Sequence, residues 1–552
     1  MRHRRWRWLT AVTALLALTV SGLAPTAASG AADDSPWVSI DDPLEGSTLP
    51  GDTLTVSGRY HRVDRIELVV GAQQILPTDV DASAGTWSAD VDLSATHGDL
   101  ELVVRGRDLD TLYTTWSPAV RVQVDNRRAA VPVVSIVSPD EGSVGGKHVS
   151  VSVRVDSPTP VRRVEVAING QHWRVAARDP HTGLYRVKIN AREWLGDFAA
   201  IRARATTRAG MTGESPSTYV ALGGASAQQP IATSQDRAIW IWERASYAVV
   251  FDETERDKLG AVMDDTATFD SDPIRTIYLG VDRYRDTDML RDSRAEVARF
   301  VRWAKDRGYQ VQATIAGGTR PPYFGALEQY EHFAVAEMEK VLDYNLAVPS
   351  DARFDGVNVD IEPYILPQWK EPGTTLPTRW LEVLDALIQR RDASGQPLLF
   401  GPAVPRWLDT SACCTQVTWN GTTKPLSDHV QDMTDYIAIM DYRDSADGGA
   451  GIIAQAQHEI EYAQRIGKPN SVVVGVETKD LTGGGDPETV TFYEEGRTHM
   501  EGELKKVYAA FADSPAFAGV AMHHFDSLVS LPSVWGDDAV WYPIDRSTIP
   551  KG

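Results

Sequence analysis

Short apolar segments alternate with amphipathic helical patterns through the carboxyl-terminal part of the chain. Apolar residues spaced three or four positions apart predict helices, and short apolar runs bounded by turn residues predict buried strands. Eight such alternations are typical of a (β/α)8 barrel, whose active site lies at the carboxyl ends of the strands. The predicted strands are 238–242, 275–280, 310–315, 356–362, 398–404, 436–442, 471–476 and 519–524. The predicted helices are 293–307, 327–345, 378–391, 452–466 and 496–512.

The competing arrangement for this region is a doubly wound parallel sheet. Such a sheet binds phosphate through a glycine-rich turn after its first strand. The residues after the first predicted strand, 243–246 (ERAS), contain no glycine. We therefore predict that residues 237–552 form the barrel.

The amino-terminal part of the chain contains an internal repeat. The segments 38–47 (VSIDDPLEGS) and 63–73 (VDRIELVVGAQ) return as 134–143 (VSIVSPDEGS) and 161–171 (VRRVEVAINGQ). Within each copy, alternating apolar and polar residues are interrupted by Gly, Pro, Asp and Ser, which is typical of a β-sandwich. The copies resemble bacterial immunoglobulin-like modules. We predict them over 33–126 and 127–224, followed by a linker over 225–236.

Residues 1–32 have the pattern of a secretory signal peptide. Four arginines precede an apolar run of about fifteen residues, and small residues suited to cleavage follow it. A membrane-spanning helix needs roughly 20 apolar residues, so the pattern favours a signal peptide over an anchor. The Arg4-Arg5 pair leaves the twin-arginine and general secretion routes open. We predict a secreted protein with no membrane insertion once the signal is cleaved.

The charge of the chain excludes two classes of partner. The 76 acidic residues outnumber the 55 basic residues, giving a formal net charge of −21. Nucleic acids and anionic lipid surfaces both require a basic footprint, so neither is expected to bind. The chain is 42% apolar, which is enough to bury several cores, and we expect it to act as a monomer.

The fourth predicted strand carries the strongest chemical signal. Its segment, 354–364 (FDGVNVDIEPY), alternates polar and apolar residues. Because side chains alternate faces along a strand, Asn358, Asp360 and Glu362 are predicted to project together into the barrel mouth. Burial and like charge raise the pKa of one of two adjacent carboxylates, which is what a general acid requires. Pro363 holds Glu362 in extended geometry.

Residues 354–362 also match, position by position, the signature of family 18 glycoside hydrolases: apolar, Asp or Asn, Gly, apolar, Asp or Asn, apolar, Asp or Asn, any residue, Glu. The chain therefore resembles that family, which has a (β/α)8 fold and cleaves β-1,4 links beside N-acetylglucosamine. The resemblance implies that Glu362 protonates the leaving oxygen. It implies that Asp360 orients the substrate's acetamido group, which is the nucleophile. The middle position of the signature, usually Asp, is Asn358 in this chain.

Two further strands bear on the resemblance. Met440 and Tyr442 match the family's Met-x-Tyr, whose tyrosine supports the acetamido group, whereas Arg443 replaces the Asp that usually follows. His523 and His524 stand where the family usually has a tryptophan under the scissile sugar, so the sugar and its linkage stay open. The catalytic residues implied are Glu362, Asp360 and Tyr442. The candidate substrate-binding residues are Asn358, Trp242, Tyr364, Trp407, Met440, Asp441, Glu477, His523 and His524.

Two alternatives to this mechanism stay open. Glu477 follows the seventh predicted strand, and many retaining glycosidases place a nucleophilic Glu there, about 5 Å from an acid on strand four. A non-catalytic carbohydrate-binding or cell-wall protein is the other alternative. The presence of Glu362 and its Asp-x-Glu spacing favour an enzyme. We predict substrate-assisted, retaining hydrolysis of an extracellular polysaccharide or oligosaccharide that contains amino sugars.

The two cysteines, Cys413 and Cys414, are adjacent in the long loop after the fifth predicted strand. Adjacent Cα atoms lie about 3.8 Å apart, below the usual range for a disulfide. A vicinal disulfide and two unpaired or intermolecularly bonded thiols therefore both stay open. His523 and His524 alternate faces, so only one can point into the barrel, and no further ligands accompany them. No metal and no cofactor is predicted.

Overall fold

The computed structural model describes residues 35–108, 114–285, 287–481 and 488–531. The predicted signal peptide lies outside the described residues. Two all-β sandwiches are followed by a closed barrel of parallel strands with helices, which confirms the predicted fold class. Within the described ranges, no helix combines the length and the apolar character needed to cross a bilayer.

The first sandwich packs two sheets around an apolar core that includes Val56, Leu68 and Trp87. Its strands are β1 (Trp37–Val38), β2 (Thr48–Pro50), β3 (Thr53–His61), β4 (Arg65–Val70), β5 (Gln74–Pro77), β6 (Asp79–Asp81), β7 (Thr86–Asp92), β8 (Gly98–Arg107), β9 (Thr114–Trp116) and β10 (Val120–Asp125). One sheet has the order β1-β3-β7-β6. The other has the order β2-β10-β8-β4-β5, with β9 paired to β8.

The second sandwich repeats this strand order. Its strands are β11 (Val133–Ser138), β12 (Val144–Gly145), β13 (His148–Asp156), β14 (Val161–Ile168), β15 (Gln171–Val175), β16 (Ala177–Arg178), β17 (Tyr185–Asn190), β18 (Phe198–Thr207), β19 (Thr212–Glu214) and β20 (Thr218–Leu222). The sheets run β11-β13-β17-β16 and β12-β20-β18-β14-β15, with β19 paired to β18. Each strand therefore has a counterpart in the first sandwich, as expected for a duplicated module.

The barrel closes when its last strand pairs with its first. Its strands are β21 (Ala238–Ile241), β22 (Thr276–Gly280), β23 (Gln310–Ile315), β24 (Gly356–Val359), β25 (Leu399–Pro405), β28 (Ile437–Met440), β29 (Val472–Glu477) and β30 (Phe517–His523). A separate hairpin, β26 (Val417–Trp419) and β27 (Thr422–Lys424), lies in the loop after β25. All eight predicted strands are present. Neighbouring strands are parallel throughout, so all their carboxyl ends meet at one face.

The helices surround the barrel and present apolar faces to it. They are α1 (Glu243–Phe251), α2 (Glu253–Asp264), α3 (Met289–Asp292), α4 (Arg294–Asp306), α5 (Glu331–Ala347), α6 (Leu376–Ala393), α7 (Leu426–Met433), α8 (Ile452–Arg465), α9 (Gly496–Phe511) and α10 (Phe525–Ser530). The five predicted helices correspond to α4, α5, α6, α8 and α9. The sequence pattern did not predict α1 and α2, which together fill the interval after β21, or the short helices α3, α7 and α10.

The fourth barrel strand differs from its prediction at one end. It ends at Val359, whereas the alternation predicts a strand through Glu362. Asp360 still donates its backbone N–H to the carbonyl of Ile315 at 2.9 Å, but Glu362 has φ −108° and ψ 66°, outside the extended region. Pro363 has no N–H with which to continue the strand ladder, so a 3-10 turn follows. Glu362 therefore lies on the turn after the strand.

Both sandwiches and the segment after them contact the barrel. Gln235 lies in the predicted linker, where no packing pattern was visible, and its side-chain oxygen accepts from Tyr278 at 2.8 Å and from Gln312 at 2.6 Å. The second sandwich buries Tyr219 against α5, where its hydroxyl bonds Asp343 at 3.2 Å. The first sandwich contacts the loop after β23, at the face where the strands end. These contacts fix both sandwiches against the barrel.

Candidate active site

A cavity of about 170 Å³ opens at the carboxyl ends of the barrel strands. Its position is the one at which enzymes with this fold place their chemistry. Aromatic rings and carboxyl groups both reach it, a combination suited to a sugar, which has one apolar face and a rim of hydroxyl groups. The lining residues are Trp240, Trp242, Asp360, Glu362, Ala403, Met440, Tyr442 and His523.

The carboxyl groups of Asp360 and Glu362 face this cavity together. Oδ1 of Asp360 is buried and has no hydrogen-bond partner among the described residues. Oε1 of Glu362 accepts a hydrogen bond from the Tyr364 hydroxyl at 2.6 Å. A buried carboxyl oxygen without a partner is costly, so the described residues leave the hydrogen-bonding needs of Asp360 incomplete.

Burial changes the acidity of both groups. Burial, the neighbouring Glu362 and Asp282 raise the pKa of Asp360 well above its ordinary value. Burial also raises the pKa of Glu362, although the hydrogen bond from Tyr364 and the nearby His523 oppose that shift. The pair therefore holds a proton at a higher pH than two exposed carboxyl groups would, and a general acid must remain protonated near the working pH.

Asn358, which is predicted to bind substrate, is not among the residues that line the cavity. It is fully buried inside the barrel, where its Oδ1 accepts from the indole N–H of Trp240 at 3.0 Å. Its Nδ2 donates to the carbonyl of Gly401 at 3.2 Å and to the Tyr436 hydroxyl at 3.3 Å. The alternation placed Asn358 on the interior face of the barrel, and its amide is bonded to Trp240, which itself lines the cavity.

Glu477 lies behind the cavity wall rather than against the cavity. Its Oε2 is 2.8 Å from Nδ1 of His523, and its Oε1 accepts from the backbone N–H groups of Thr478 and Lys479 at 2.8 and 2.9 Å. Burial alone would raise the pKa of Glu477, but His523 and the Lys479 N–H lower it below its ordinary value. Both oxygens of this carboxylate are thus committed to the protein, and the group orients His523.

The two adjacent histidines have different surroundings. The ring of His523 lies 6.0 Å from Trp240, 6.3 Å from Trp242 and 5.8 Å from Tyr442, measured between centroids. His523 therefore forms part of the cavity wall together with these aromatic rings. His524 is the residue that precedes α10, and its backbone N–H donates to the Ser527 hydroxyl at 3.1 Å. Burial and the neighbouring His523 lower the pKa of His524 to about 3, so its ring is neutral.

Tyr442 and a cluster of aromatic rings complete the surroundings of the carboxyl pair. Burial raises the pKa of Tyr442 well above its ordinary value, with Glu477, Asp360 and Glu362 contributing, so its hydroxyl stays protonated and can donate. Tyr364 packs edge-on against Trp407 at 5.4 Å and against Trp369 at 6.1 Å. Trp369 is buried, and the sequence pattern did not predict it in this region.

Asp441, also predicted to bind substrate, is not among the residues that line the cavity. It is fully buried, and neither of its carboxylate oxygens has a hydrogen-bond partner among the described residues. Burial raises the pKa of Asp441 well above its ordinary value, although Arg406 and Arg443 oppose the shift. Its neighbours Met440 and Tyr442 point to the cavity, so strand alternation sends Asp441 to the opposite side.

The structure adds one carboxyl group that sequence reasoning did not select. Asp282 lies just past the end of β22, and its carboxylate accepts from the backbone N–H of Ala316 at 3.3 Å. Burial and the nearby Glu337 raise the pKa of Asp282 to about 7. A polar residue directly after an apolar barrel strand was the available signal. Among the described residues, no cluster of three or more His, Cys, Asp and Glu side chains is arranged to hold a metal ion.

A disulfide bond joins Cys413 to Cys414 in the loop after β25. Cys414 is buried, and its backbone carbonyl accepts from the N–H of Leu426 at 2.8 Å, which attaches the loop to the start of α7. The same loop begins with Trp407, whose carbonyl accepts from Ser411 at 3.0 Å. The disulfide therefore lies in the segment that carries Trp407 beside Tyr364.

Comparisons with known proteins add little to this site. No protein-family model and no curated protein matches the chain. Similar solved structures include catalytic domain 2 of a Group II chitinase from Ostrinia furnacalis, with 14% identity over 45% of this chain and 64% of that one and a TM-score of 0.27. A β-glucuronidase from Lactobacillus rhamnosus has 12% identity over 89% of this chain and 83% of that one, with a TM-score of 0.31.

Fibronectin(III)-like modules of CbhA from Clostridium thermocellum are similar to the amino-terminal part. They have 17% identity over 35% of this chain and 99% of that one, with a TM-score of 0.15. Glycoside hydrolases are thus among the similar structures. Because the identities and TM-scores are low, these likenesses assign no function to this chain.

Proposed function

We propose that this chain is a secreted glycoside hydrolase that cleaves a polysaccharide containing amino sugars, with Glu362 as general acid. The observation that carries the proposal is the pairing of Asp360 and Glu362 in an aromatic-lined cavity at the carboxyl end of the barrel. Burial of both carboxyl groups favours their protonated forms, which a general acid needs and a purely structural acidic pair does not.

In the proposed reaction, Glu362 donates its proton to the glycosidic oxygen as the bond to the leaving sugar breaks. The carbonyl oxygen of the 2-acetamido group attacks the anomeric carbon from the other face, forming a cyclised intermediate. Asp360 accepts a hydrogen bond from the acetamido N–H through its carboxyl group, which lines the cavity. The Tyr442 hydroxyl donates a hydrogen bond to the acetamido oxygen and so holds it in line with the anomeric carbon. Water then opens the intermediate, with Glu362 acting as the base.

The hydrogen bonds of Glu477 favour this scheme over a two-glutamate mechanism. A carboxylate nucleophile must have an oxygen free to bond the anomeric carbon. Glu477 uses one oxygen for His523 and the other for two backbone N–H groups, and it does not line the cavity. We therefore assign it a positioning role, in which it holds the His523 ring against Trp240 and Trp242.

The wall around His523 bears on the choice of sugar. An imidazole beside two indoles leaves an apolar surface with a polar edge, whereas a lone tryptophan floor would be apolar throughout. We propose that the sugar in this subsite carries a polar group that meets His523, in addition to its acetamido group. Chitin oligomers and peptidoglycan are therefore both substrates to test, together with other amino-sugar polymers.

The test is a screen of the secreted protein on these three substrate classes, with released sugars identified by mass spectrometry. Glu362→Gln should lower turnover by about 10²- to 10⁴-fold, the usual effect of losing a general acid, and should leave binding intact. Glu371→Gln is the matched control, because Glu371 is an exposed carboxylate shortly after Glu362 in the chain. Wild-type turnover by Glu362→Gln would refute the assignment. Binding without turnover by the wild-type protein would leave a carbohydrate-binding protein instead.

A further inference from the structure

The loop after β23, residues 316–330, forms the part of the barrel face next to Glu362. Within this β23 loop, the 3-10 turn Pro322–Ala326 packs against the turn Pro363–Ile365, which directly follows Glu362. The loop is also folded tightly on itself, since a Cβ added at Gly317 would lie 2.1 Å from the carbonyl oxygen of Pro322. The position of the β23 loop therefore influences the turn that carries the proposed acid.

The first sandwich holds the β23 loop at several points along its length. The carbonyl of Ala72 accepts from the N–H of Arg320 at 2.8 Å, and the side chain of Gln73 donates to the carbonyl of Gly318 at 3.3 Å. At the far end of the loop, the Tyr330 hydroxyl donates to Glu101 at 2.9 Å. These bonds cross between regions that lie more than 200 residues apart in the chain.

Arg105 makes the contact nearest to the proposed acid. One end of its guanidinium bonds Glu67 within the sandwich, with Nε at 3.1 Å from the carboxylate, and the other end donates to the Tyr323 hydroxyl at 3.2 Å. Tyr323 belongs to the 3-10 turn that packs behind Glu362. Burial raises the pKa of Tyr323. The charge of Arg105 opposes that shift and the charge of Glu362 adds to it, so both residues act electrostatically on the phenol.

The duplicated module provides an internal comparison for this contact. In the first sandwich Glu67 pairs across the strands with Arg105, and in the second Glu165 pairs with Arg204 in the same way. Arg204 bonds Glu165 through Nε at 3.1 Å, as Arg105 bonds Glu67, but its guanidinium lies over the ring of Trp173 in its own sandwich at 4.1 Å. The cross-strand ion pair is thus common to both modules, and the bond to Tyr323 is an addition in the first.

We propose that Arg105 is a positioning residue for Glu362, and that the first sandwich keeps the β23 loop pressed against the turn that carries this acid. The sandwich is then a part of the catalytic unit rather than a spacer. The effect on turnover rests on the proposed hydrolase function, whereas the effect on the loop does not. Displacement of a catalytic group by about 1 Å can cost about a hundredfold in rate, so a loop contact of this kind is sufficient to matter.

The experiment compares Arg105→Ala with Arg204→Ala in the full-length protein. Both variants leave a buried glutamate with one remaining arginine, Arg65 or Arg163, so they carry similar costs to their own sandwiches. Amide hydrogen exchange is measured over residues 316–330 and 363–370, without substrate. We expect exchange in both segments to quicken by about tenfold or more in Arg105→Ala only, because local opening becomes easier when a tertiary contact is lost.

Turnover is measured on the substrate identified in the screen. We expect Arg105→Ala to lower kcat by about tenfold or more with KM little changed, since the loss concerns the acid and not the sugar contacts. Tyr323→Phe removes the same bond from the barrel side and leaves Glu67 fully paired, so it should reproduce the faster exchange and the lower kcat even if Arg105→Ala folds poorly.

Unchanged exchange in Tyr323→Phe and Arg105→Ala would overturn the proposal. If exchange responds but kcat does not, the positioning role is refuted. If the wild-type protein hydrolyses none of the polymers, the proposed function fails, and exchange still decides whether the contact holds the loop.

Discussion

Replacing Asp282 by Asn should make the protein more stable at high pH and leave its stability at low pH unchanged. Burial raises the pKa of Asp282 from its ordinary value of 3.8 to about 7. Below about pH 3 this carboxyl is protonated in both the folded and the unfolded protein. Between about pH 4 and pH 7 the unfolded chain loses the proton while the folded protein keeps it, so the free energy of unfolding decreases as pH rises. Above pH 7 the decrease is complete.

The size of the effect follows from the two pKa values. Each pKa unit corresponds to about 1.4 kcal/mol, so the ionised group lowers the free energy of unfolding by at most about 4 kcal/mol. Asp282 is half-buried, so solvent screening reduces this figure to about 2 kcal/mol; the opposing effect of Lys340 is already contained in the pKa of about 7. Asn cannot ionise, yet its Oδ1 can still accept from the N–H of Ala316. The remaining charged groups near this position are Glu337, Asp288 and Asp360.

The assay is thermal unfolding of Asp282→Asn and wild-type protein at pH 4.5 and pH 8. We expect the variant to unfold several degrees higher than wild type at pH 8. At pH 4.5, where the unfolded chain has begun to lose the proton, we expect no more than about a quarter of that difference. Asp272→Asn, at an exposed carboxylate, is the control and should behave alike at both values. Because Asp282 raises the pKa of Asp360, the acidic limb of the activity profile should also move to lower pH in Asp282→Asn. A stability difference that is the same at both pH values would refute the reasoning.

The remaining predictions concern the mechanism and the sandwiches. Asp360→Ala should lose roughly 3 kcal/mol of transition-state stabilisation, about a hundredfold in rate, and a thiazoline analogue of the cyclised intermediate should inhibit the wild-type protein. Glu477→Ala should cost less, and recovery of its activity with azide would contradict substrate assistance. Deletion of residues 33–224 should lower the unfolding temperature of the barrel, because it removes Arg202 and Tyr219 from the partly buried Asp343; an unchanged temperature would show that the sandwiches do not stabilise the barrel.

The sequence predicts the barrel well because its signal is local. Each strand is a short apolar run, and eight of them recur with helices between, so the order and the parallel pairing follow from periodicity and handedness. The same reasoning missed α1 and α2, where 22 residues of modest amphipathicity follow β21 without a strong turn signal between them. The fourth strand was predicted through Glu362 because polar and apolar residues alternate up to that position. In the structure the strand ends at Val359, and a turn begins at Pro363.

For the candidate site, the sequence pattern predicted which side chains of the fourth strand share a face, and no contacts between that strand and other parts of the chain. Alternation put Asp360 and Glu362 on the face that the structure gives to the cavity, and it put Asn358 on the same face without indicating depth. Contacts such as that of Arg105 with Tyr323 depend on how two folded units pack together. No periodic pattern records such a contact between residues 218 positions apart. The position of Glu477 beside His523 likewise requires two neighbouring strands in register.

The role of Asn358, the middle polar residue of the fourth strand, follows from the neighbouring strands. The amide of Asn358 is fully used by Trp240, Gly401 and Tyr436, so it holds the barrel interior together and has no hydrogen bond left for Asp360. The carboxylate that acts on Asp360 is instead that of Asp282, which follows β22. The carboxylate of Asp282 accepts from the N–H of Ala316, and the backbone N–H of Asp360 donates to the carbonyl of Ile315. The two residues therefore lie on either side of the end of β23. Asp282 thereby contributes to the raised pKa of Asp360 that a second acid on the same strand would otherwise produce.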